Sequence, residues 1–251
     1  MKFENIEIVN KDEYKNVLSL PLDFKDDFNL WRYLSLPKFL KFLEDGYLYL
    51  TRISNFKDPF EGSLPKNHQK HLETLKKVLQ LQNSHVESYN YLLKLIKEHF
   101  YVNCWHINQY ESAAMWSIYS RTNESIAIQS SFLKLQKEVG EQAMLGAVGY
   151  VDYEKDSIPY GNIYYPAICK RKSYSYENEF RIINHDLEKV AKDEKSDAYQ
   201  TIDIDIENLI EEVYISPDAP PYFLELISSI STKYEYNFKI TKSKIDEDPF
   251  H

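Results

Sequence analysis

Short apolar runs, each about as long as a strand, recur along the chain between polar, turn-rich segments. The runs FNLWRYL (28–34) and YLYLTRI (47–53) come first, and FYVNCWHI (100–107) is the most continuous. Aromatic and β-branched residues, which suit strands, are frequent in them. Further strands are predicted at 125–131, within 143–153, and at 199–206, 210–216 and 237–243.

Other stretches repeat their apolar residues at helical spacing. From Leu36 to Leu43 such a stripe predicts a helix over 35–46, which Gly46 ends. The stretch 66–99 carries two stripes on either side of Asn83-Ser84, so it predicts two helices. Further helices are predicted at 111–120, up to about Cys169, and at 220–234.

The order of these elements is mixed, without the regular alternation of a parallel βαβ fold. No internal repeat and no low-complexity linker divides the chain. We therefore expect one α+β domain over 1–251, with a split, mostly antiparallel sheet and flanking helices. In this interpretation 1–27 is a loosely structured lead-in, and 66–99 is a helical insertion packed to one side.

Composition narrows the class of protein. Of 251 residues, 43% are hydrophobic, which supports a real core, and the net charge is −9. Residues 186–212 hold ten acids against three lysines, so −7 of that charge is local. Bulk charge therefore does not favour coating of nucleic acid, although 170–172 (KRK) is a candidate basic patch.

The sequence also suggests a location. Two cysteines make no disulfide framework and indicate reduced thiols. The N-terminal residues show no signal-peptide pattern, and no apolar run reaches 18 residues. We expect a cytoplasmic protein that does not enter a membrane.

Several common motifs are absent, and two short motifs remain ambiguous. With six glycines the chain has no GxGxxG, P-loop or GxSxG pattern. Asp58 and Glu61, in DPFE, suit either turn chemistry or the rim of a ligand site. Met115, Trp116 and Tyr119, in AAMWSIY, suit either core packing or an aromatic surface that cups a planar ligand.

The stretch SYSYENEF (173–180) holds the most distinctive charges. Read as a strand with period two, it puts Glu177, Glu179 and Arg181 on one face. That face is expected to be exposed, opposite a tyrosine-rich face that packs inward. On this interpretation Glu179→Gln alters stability by less than about 0.5 kcal/mol.

An ordered set of segments resembles a bacterial family of unknown function, DUF 2971. The segments are LWRYLSLPKFLKFLEDGYLYLTRISNFKDPFEGS, VNCWHI, MWSIYS, KRKSYSYENEFRII and IEEVYISP. They run in this order from about 28 to 243. Lys57 departs from the pattern, in which Asn is expected before Asp-Pro. The family name carries no activity.

A looser resemblance is to the ADP-ribosyltransferase fold. A strand with an Arg, a short helix ending in Gly, the strand YLYLT and a late Glu-x-Glu are similar to that fold. The resemblance implies NAD as substrate and a macromolecular acceptor, either protein or nucleic acid. It implies the setting of a toxin or phage-defence effector.

The same resemblance assigns roles to residues. Glu179 becomes the carboxylate that stabilises the positive ribose, and Glu177 the group that orients or deprotonates the acceptor. Cofactor binding falls to Arg32 at the pyrophosphate, with Tyr33, Trp116 and Tyr119. Substrate-rim positions fall to Asp58, Glu61, Lys170 and Arg181, and no metal is implied.

Two other functions stay open at this stage. Asp58, Glu61, Glu177 and Glu179 could together hold Mg²⁺ in a metal-dependent nuclease. A non-catalytic nucleotide-binding or regulatory module is the second alternative.

Overall fold

The structure is a computed structural model that describes residues 5–9, 15–68, 70, 84–119, 122–158, 162–192, 194–247 and 249. The strands in these ranges are β1 (Ile6–Ile8), β2 (Val17–Pro21), β3 (Asn29–Ser35), β4 (Tyr47–Arg52), β5 (Phe100–Ile107), β6 (Ser125–Ser131), β7 (Met144–Ala147), β8 (Gly149–Val151), β9 (Cys169–Arg171), β10 (Glu179–His185), β11 (Tyr199–Asp203), β12 (Glu212–Ile215) and β13 (Lys239–Lys242). The α-helices are α1 (Leu36–Asp45), α2 (Ser84–His99), α3 (Ala113–Tyr119), α4 (Phe132–Val139), α5 (Leu187–Ala191), α6 (Ile206–Leu209) and α7 (Tyr222–Lys233). Short 3₁₀ helices cover Ile53–Asn55, Gly140–Gln142, Tyr165–Ile168 and Lys172–Glu177.

The described residues fall into two compact units. Unit 1 is drawn from 1–24, 49–104 and 141–201, and unit 2 from 25–48, 105–140 and 202–251. The expectation of a single folding domain stays a prediction.

Unit 1 is built mainly on antiparallel strand pairs. β1 pairs with β2, β7 with β10, and β4 with β5, all antiparallel, whereas β2 and β7 are parallel. A separate parallel pair joins β8 to β9 and places Tyr150 opposite Lys170. The core side chains of this unit include Leu18, Leu50, Phe100, Leu145, Phe180 and Ile182.

Unit 2 has its own antiparallel strands and core. β3 pairs with β6 over its whole length, from Asn29↔Ser131 to Ser35↔Ser125, and β6 pairs with β12. The last pair, β12 with β13, is parallel. One group of core side chains consists of Trp31, Tyr33, Met115, Trp116 and Ala127.

The strongest periodic patterns are confirmed. Strands β3 to β6 and helices α1, α3 and α7 lie within two residues of their predicted ends. Gly46 ends α1 in the left-handed conformation (φ 72°), which lets its amide bond the carbonyl of Phe42. The mixed α/β class with mostly antiparallel strands is therefore as expected.

Other expectations were wrong. The lead-in contains paired strands, β1 and β2, because its short apolar runs complete a sheet edge of unit 1. The helix expected to end near Cys169 is not found within the described residues, where the 3₁₀ turn Tyr165–Ile168 leads into β9. Helix α4 was missed, although Ser131 caps it by accepting from the amide of Lys134.

Part of the helical insertion lies outside the described residues. Its second helix is present as α2, whose described residues run from Ser84 to His99. The expected break at Asn83-Ser84 borders the undescribed range and stays a prediction. The stripe Leu72, Leu75 and Leu79 falls in the undescribed range 71–83. Among the described helices, none is long and apolar enough to cross a membrane.

Gly146 on β7 permits a close approach of β2 and of Ile168 to the β7 backbone. Gly146 is the register partner of Arg181 on β10 and of Ser19 on β2. A Cβ at this position would lie 2.9 Å from Ser19 Oγ and 3.1 Å from Ile168 Cγ2. Ser19 Oγ is itself fixed by a 2.7 Å hydrogen bond to the carbonyl of Ala147.

We expect Gly146→Ala to lower the free energy of unfolding by about 1–3 kcal/mol, because the added methyl overpacks this contact. Urea denaturation measures the loss. In a double-mutant cycle, Ser19→Ala should recover part of it, since the closest clashing atom is removed. Additive losses would contradict the contact.

Candidate active site

A cluster of charged side chains lies inside unit 1. Its members, called the charge cluster below, share ion pairs with one another and come from the loop after β4, from β9, from the turn after β9 and from β10. They are Asp58, Glu61, Lys170, Arg171, Glu177, Glu179 and Arg181.

Arg181 is the most buried member, with no exposed surface. Its Nη1 and Nη2 donate to the two oxygens of Glu61 at 2.9 and 3.1 Å. Its Nε donates to Glu179 Oε2 at 2.7 Å, and Nη1 also donates to the Ala167 carbonyl at 2.7 Å. The guanidinium therefore has two carboxylates and a carbonyl in place of water.

Lys170 brings the two glutamates of the ENE motif together. Its Nζ donates to Glu177 Oε2 at 2.6 Å and to Glu179 Oε1 at 2.5 Å, and lies 3.4 Å from Glu61 Oε1. One ammonium is thus surrounded by three carboxyl groups. Both oxygens of Glu179 are engaged, one by Lys170 and the other by Arg181.

A second ion pair flanks this centre. Arg171 holds Asp58 through Nε and Nη2, at 3.0 and 2.9 Å. Its guanidinium also lies over the rings of Phe60 (4.7 Å) and Tyr174 (5.3 Å). Asp58 in turn accepts from the amide of Phe60, so DPFE forms a turn as well as a charge site.

The local backbone explains why both glutamates turn inward. Lys172–Glu177 is a 3₁₀ helix, and Asn178 adopts a left-handed conformation (φ 38°) before β10 begins. Asparagine tolerates this conformation better than most residues. The predicted strand over 173–178 was therefore wrong, and only Glu179 and Arg181 share a strand face.

The predicted exposure of that face was also wrong. Glu177, Glu179 and Arg181 are buried, whereas Tyr176 is 50% exposed. Burial is possible because the cations and carboxylates neutralise one another inside the unit.

The charges in the centre do not balance if every group ionises. Within the part of the chain that the structure describes, Glu61, Glu177 and Glu179 form ion pairs with two cations, Lys170 and Arg181, which leaves one negative charge in excess. One carboxyl is therefore favoured in its protonated form. Burial and a hydrogen bond with Glu179 raise the pKa of Glu177 from 4.5 to about 7.

The pKa of Glu179 is shifted in the opposite direction to that of Glu177. Burial alone would raise the pKa of Glu179. The charge of Arg181 opposes burial most strongly, and the hydrogen bond from Glu177 and the ammonium of Lys170 add to it. Together they hold the pKa of Glu179 below its usual value. The two carboxyl groups are therefore shifted apart, with Glu179 favoured as the carboxylate and Glu177 favoured as the group that keeps a proton.

The four residues predicted at a substrate rim are buried members of this cluster. Asp58, Glu61, Lys170 and Arg181 are each at most 7% exposed. Their predicted contact with a substrate stays untested.

The predicted cofactor-binding residues belong to unit 2. Tyr33 and Trp116 are buried and pack edge to face, with ring centroids 5.0 Å apart. Trp116 Nε1 donates to Glu111 at 2.9 Å, and Tyr33 Oη accepts from the amide of Ser112 at 2.8 Å. Core packing thus accounts for both rings.

Arg32 and Tyr119 are more open to solvent. Arg32 is half-buried, and its guanidinium carbon lies 6.0 Å from the centre of the Trp105 ring. Tyr119, on α3, is 44% exposed. Of the three aromatic residues proposed to bind a cofactor, it offers the most surface.

Sequence reasoning missed two tyrosines at the charge cluster. Tyr150 Oη accepts from the amide of Glu179 at 2.9 Å, and Tyr153 Oη donates to the carbonyl of Phe60 at 3.2 Å. The segment GYVDY that contains them gave only a strand signal. Their contacts depend on a fold that joins segments far apart in the sequence.

The charge cluster does not suit a metal ion. A nuclease site would need Asp58, Glu61, Glu177 and Glu179 to turn their oxygens to one cation. Here Arg171, Arg181 and Lys170 already engage those oxygens. Within the described ranges, no group of three His, Cys, Asp or Glu residues could hold a metal.

No protein-family model matches the chain, and no curated protein matches it. The resemblance to DUF 2971 is therefore not shown by a family model. Among solved structures, Thermus sp. 2.9 DarT in complex with NAD+ is similar at a TM-score of 0.40 and 10% identity, over 88% of this chain and 98% of that chain. The same protein in complex with carba-NAD+ gives 0.38 and 10%, over 87% and 96%. Likeness at these values carries no argument about the site.

Glu179→Gln should lower the free energy of unfolding by about 3 kcal/mol, because Lys170 and Arg181 lose a buried counter-charge. This loss of stability is at the low end of the range for a broken buried ion pair, because Glu177 can ionise and supply a replacement negative charge. Urea denaturation measures it, with Glu154→Gln, in an exposed ion pair with Lys66, as matched control. Equal stability of the two variants would contradict the burial of Glu179.

Glu177 should make stability fall as pH rises. Its folded pKa of about 7 lies above the ordinary 4.5, so the folded chain keeps a proton that the unfolded chain has released. The free energy of unfolding therefore decreases through this window, from pH 4.5 to about 7. Glu177→Gln cannot titrate, and its stability should lose this decrease when both proteins are denatured with urea across the window. Parallel pH profiles would show that Glu177 titrates normally.

Proposed function

We propose that the protein uses NAD as a substrate and transfers ADP-ribose to a macromolecular acceptor, with Glu179 as the carboxylate that faces the reacting ribose. The observation that supports this proposal is the fixed pair Glu177 and Glu179, held 2.6 and 2.5 Å from one ammonium. Such a pair offers two carboxyl groups in different protonation states at one place.

The two carboxyl groups match the two demands of the reaction. When the bond between nicotinamide and ribose breaks, nicotinamide leaves with the bonding electrons and the ribose becomes positive. Glu179, which stays ionised, stabilises that charge. An acceptor oxygen or nitrogen then attacks the ribose carbon and gives its proton to Glu177.

The remaining roles are proposals for single residues. Arg32 would pair with the pyrophosphate, as a guanidinium suits bidentate phosphate binding. Tyr119 would stack on the nicotinamide because its ring is exposed, whereas Tyr33 and Trp116 are core residues of unit 2 and would contribute through packing. The setting of a toxin or phage-defence effector rests on the resemblance alone.

A second candidate is a non-catalytic nucleotide-binding or regulatory module. The specific observation in its favour is that both oxygens of Glu179 are already bonded, to Lys170 and Arg181. For the transferase, Lys170 has to release one oxygen when substrate binds. For the module, the cluster only supports the fold.

Incubation with labelled NAD and fractionated cell extract tests the proposal. The wild type should label an acceptor, and Glu179→Gln should slow labelling about 10²- to 10³-fold, as expected for one lost electrostatic contact. The variant is assayed at a temperature at which circular dichroism shows it folded. Glu154→Gln should label at the wild-type rate.

Calorimetry with NAD separates the two candidates. Binding without any labelled acceptor would favour the module, and the absence of both would end the transferase proposal.

A further inference from the structure

Tyr150 lies at the charge cluster without being part of its ion pairs. It sits in the middle of β8, opposite Lys170 in the parallel pair with β9, and is 6% exposed. Residues that pair across a ladder project to the same side of the sheet. The short β8–β9 sheet therefore presents the phenol and the ammonium side by side.

The Tyr150 hydroxyl fixes the backbone at the base of Glu179. Its oxygen accepts from the Glu179 amide at 2.9 Å, and the Glu179 carbonyl accepts from the amide of Val148 at 2.9 Å. Glu179 directly follows Asn178, whose left-handed conformation ends the turn. Both polar groups of the Glu179 backbone are thus held by the segment 148–150.

This hydrogen bond satisfies a donor that burial would otherwise leave costly. It also fixes the direction in which Cα–Cβ of Glu179 leaves the backbone. That direction decides whether one carboxylate oxygen reaches Lys170 and the other reaches Arg181. Burial, together with the Glu179 charge, raises the pKa of Tyr150, so the hydroxyl stays neutral at physiological pH.

We propose that Tyr150 is a positioning residue, whose hydroxyl holds Glu179 in the orientation that the reaction needs. The proposal deepens the proposed function and rests on it for its kinetic part. Its structural part, the control of the Glu177–Glu179 pair, stands independently of any activity.

Tyr150→Phe keeps the ring and removes the hydroxyl. The matched control is Tyr101→Phe, because Tyr101 is also buried in unit 1 and its hydroxyl donates to a backbone carbonyl, that of Asp197, at 3.2 Å. Tyr101 makes no ion pair or hydrogen bond with the charge cluster. Both variants lose one buried hydroxyl, so a general loss of packing would affect them equally.

The first measurement is the carboxyl titration of the full-length chain by NMR, with ¹³C-labelled glutamate assigned through Glu177→Gln and Glu179→Gln. In Tyr150→Phe the Glu179 carboxylate should lose alignment with its two cations. The midpoint of Glu179 should then rise and that of Glu177 should fall, so that the pair titrates over a narrower range. Tyr101→Phe should titrate like the wild type.

The second measurement is turnover of NAD. Tyr150→Phe should lower kcat about 10- to 100-fold with KM changed less than about threefold, as a misplaced reacting group does. Tyr101→Phe should keep both. Equal kcat in the two variants, or an unshifted titration in Tyr150→Phe, would overturn the positioning role.

The outcomes separate this inference from the proposed function. If the wild type turns over no NAD, the transferase fails, and the titration still decides the role of Tyr150. If Tyr150→Phe does not fold, hydrogen exchange of the wild type decides it. A protected Glu179 amide supports the bond to Tyr150, and an amide that exchanges as fast as an exposed one overturns it.

Discussion

The buried guanidinium of Arg181 is the constraint on which the arrangement of unit 1 depends. A cation without exposed surface needs partners for its donors, and the chain supplies Glu61, Glu179 and the Ala167 carbonyl. Each partner comes from a different segment: the loop after β4, the start of β10 and the 3₁₀ turn before β9. Satisfying this one side chain therefore fixes three segments at once.

Lys170 is the second buried cation, and its carboxyl partners determine how the charge cluster can bind protons. Because two cations face three carboxyl groups, the cluster cannot be both fully ionised and neutral. The excess charge favours a proton on Glu177, because Glu177 pairs with Lys170 whereas Glu61 and Glu179 pair with Arg181 as well. The excess negative charge is unfavourable in a buried site, and it therefore makes Glu177 a group able to accept a proton near neutral pH.

Sequence patterns predicted those helices and strands whose apolar residues recur at a clear helical or strand spacing. α1 and β3 to β6 follow from stripes and apolar runs, because local spacing alone determines which face can be buried. The prediction of a strand over 173–178 was wrong because it also relied on local spacing alone. Alternating Ser and Tyr suits a strand, yet it also suits a 3₁₀ turn that exposes Tyr176, and only the tertiary contacts decide between them.

The candidate site was predicted in part. Glu177, Glu179 and Arg181 stood out as a charged group, and DPFE as a second one. Their burial was not predictable, since charged residues are almost never fully buried unless paired, and one of the two carboxylate partners of Arg181 is a loop glutamate in a distant segment. The sequence did not single out Tyr150, because its place at the charge cluster depends on the pairing of β8 with β9.

The distance in sequence between these partners has a consequence for folding. Glu61 and Arg181 are 120 residues apart, so their ion pair closes a long loop, and closing it costs chain entropy before any contact forms. Arg181 can complete its desolvation only when Glu61 arrives, because Glu179 accepts from Nε whereas Nη2 donates to Glu61. Closure of this loop and full desolvation of the guanidinium are therefore coupled, and we expect the site to open with global rather than local unfolding.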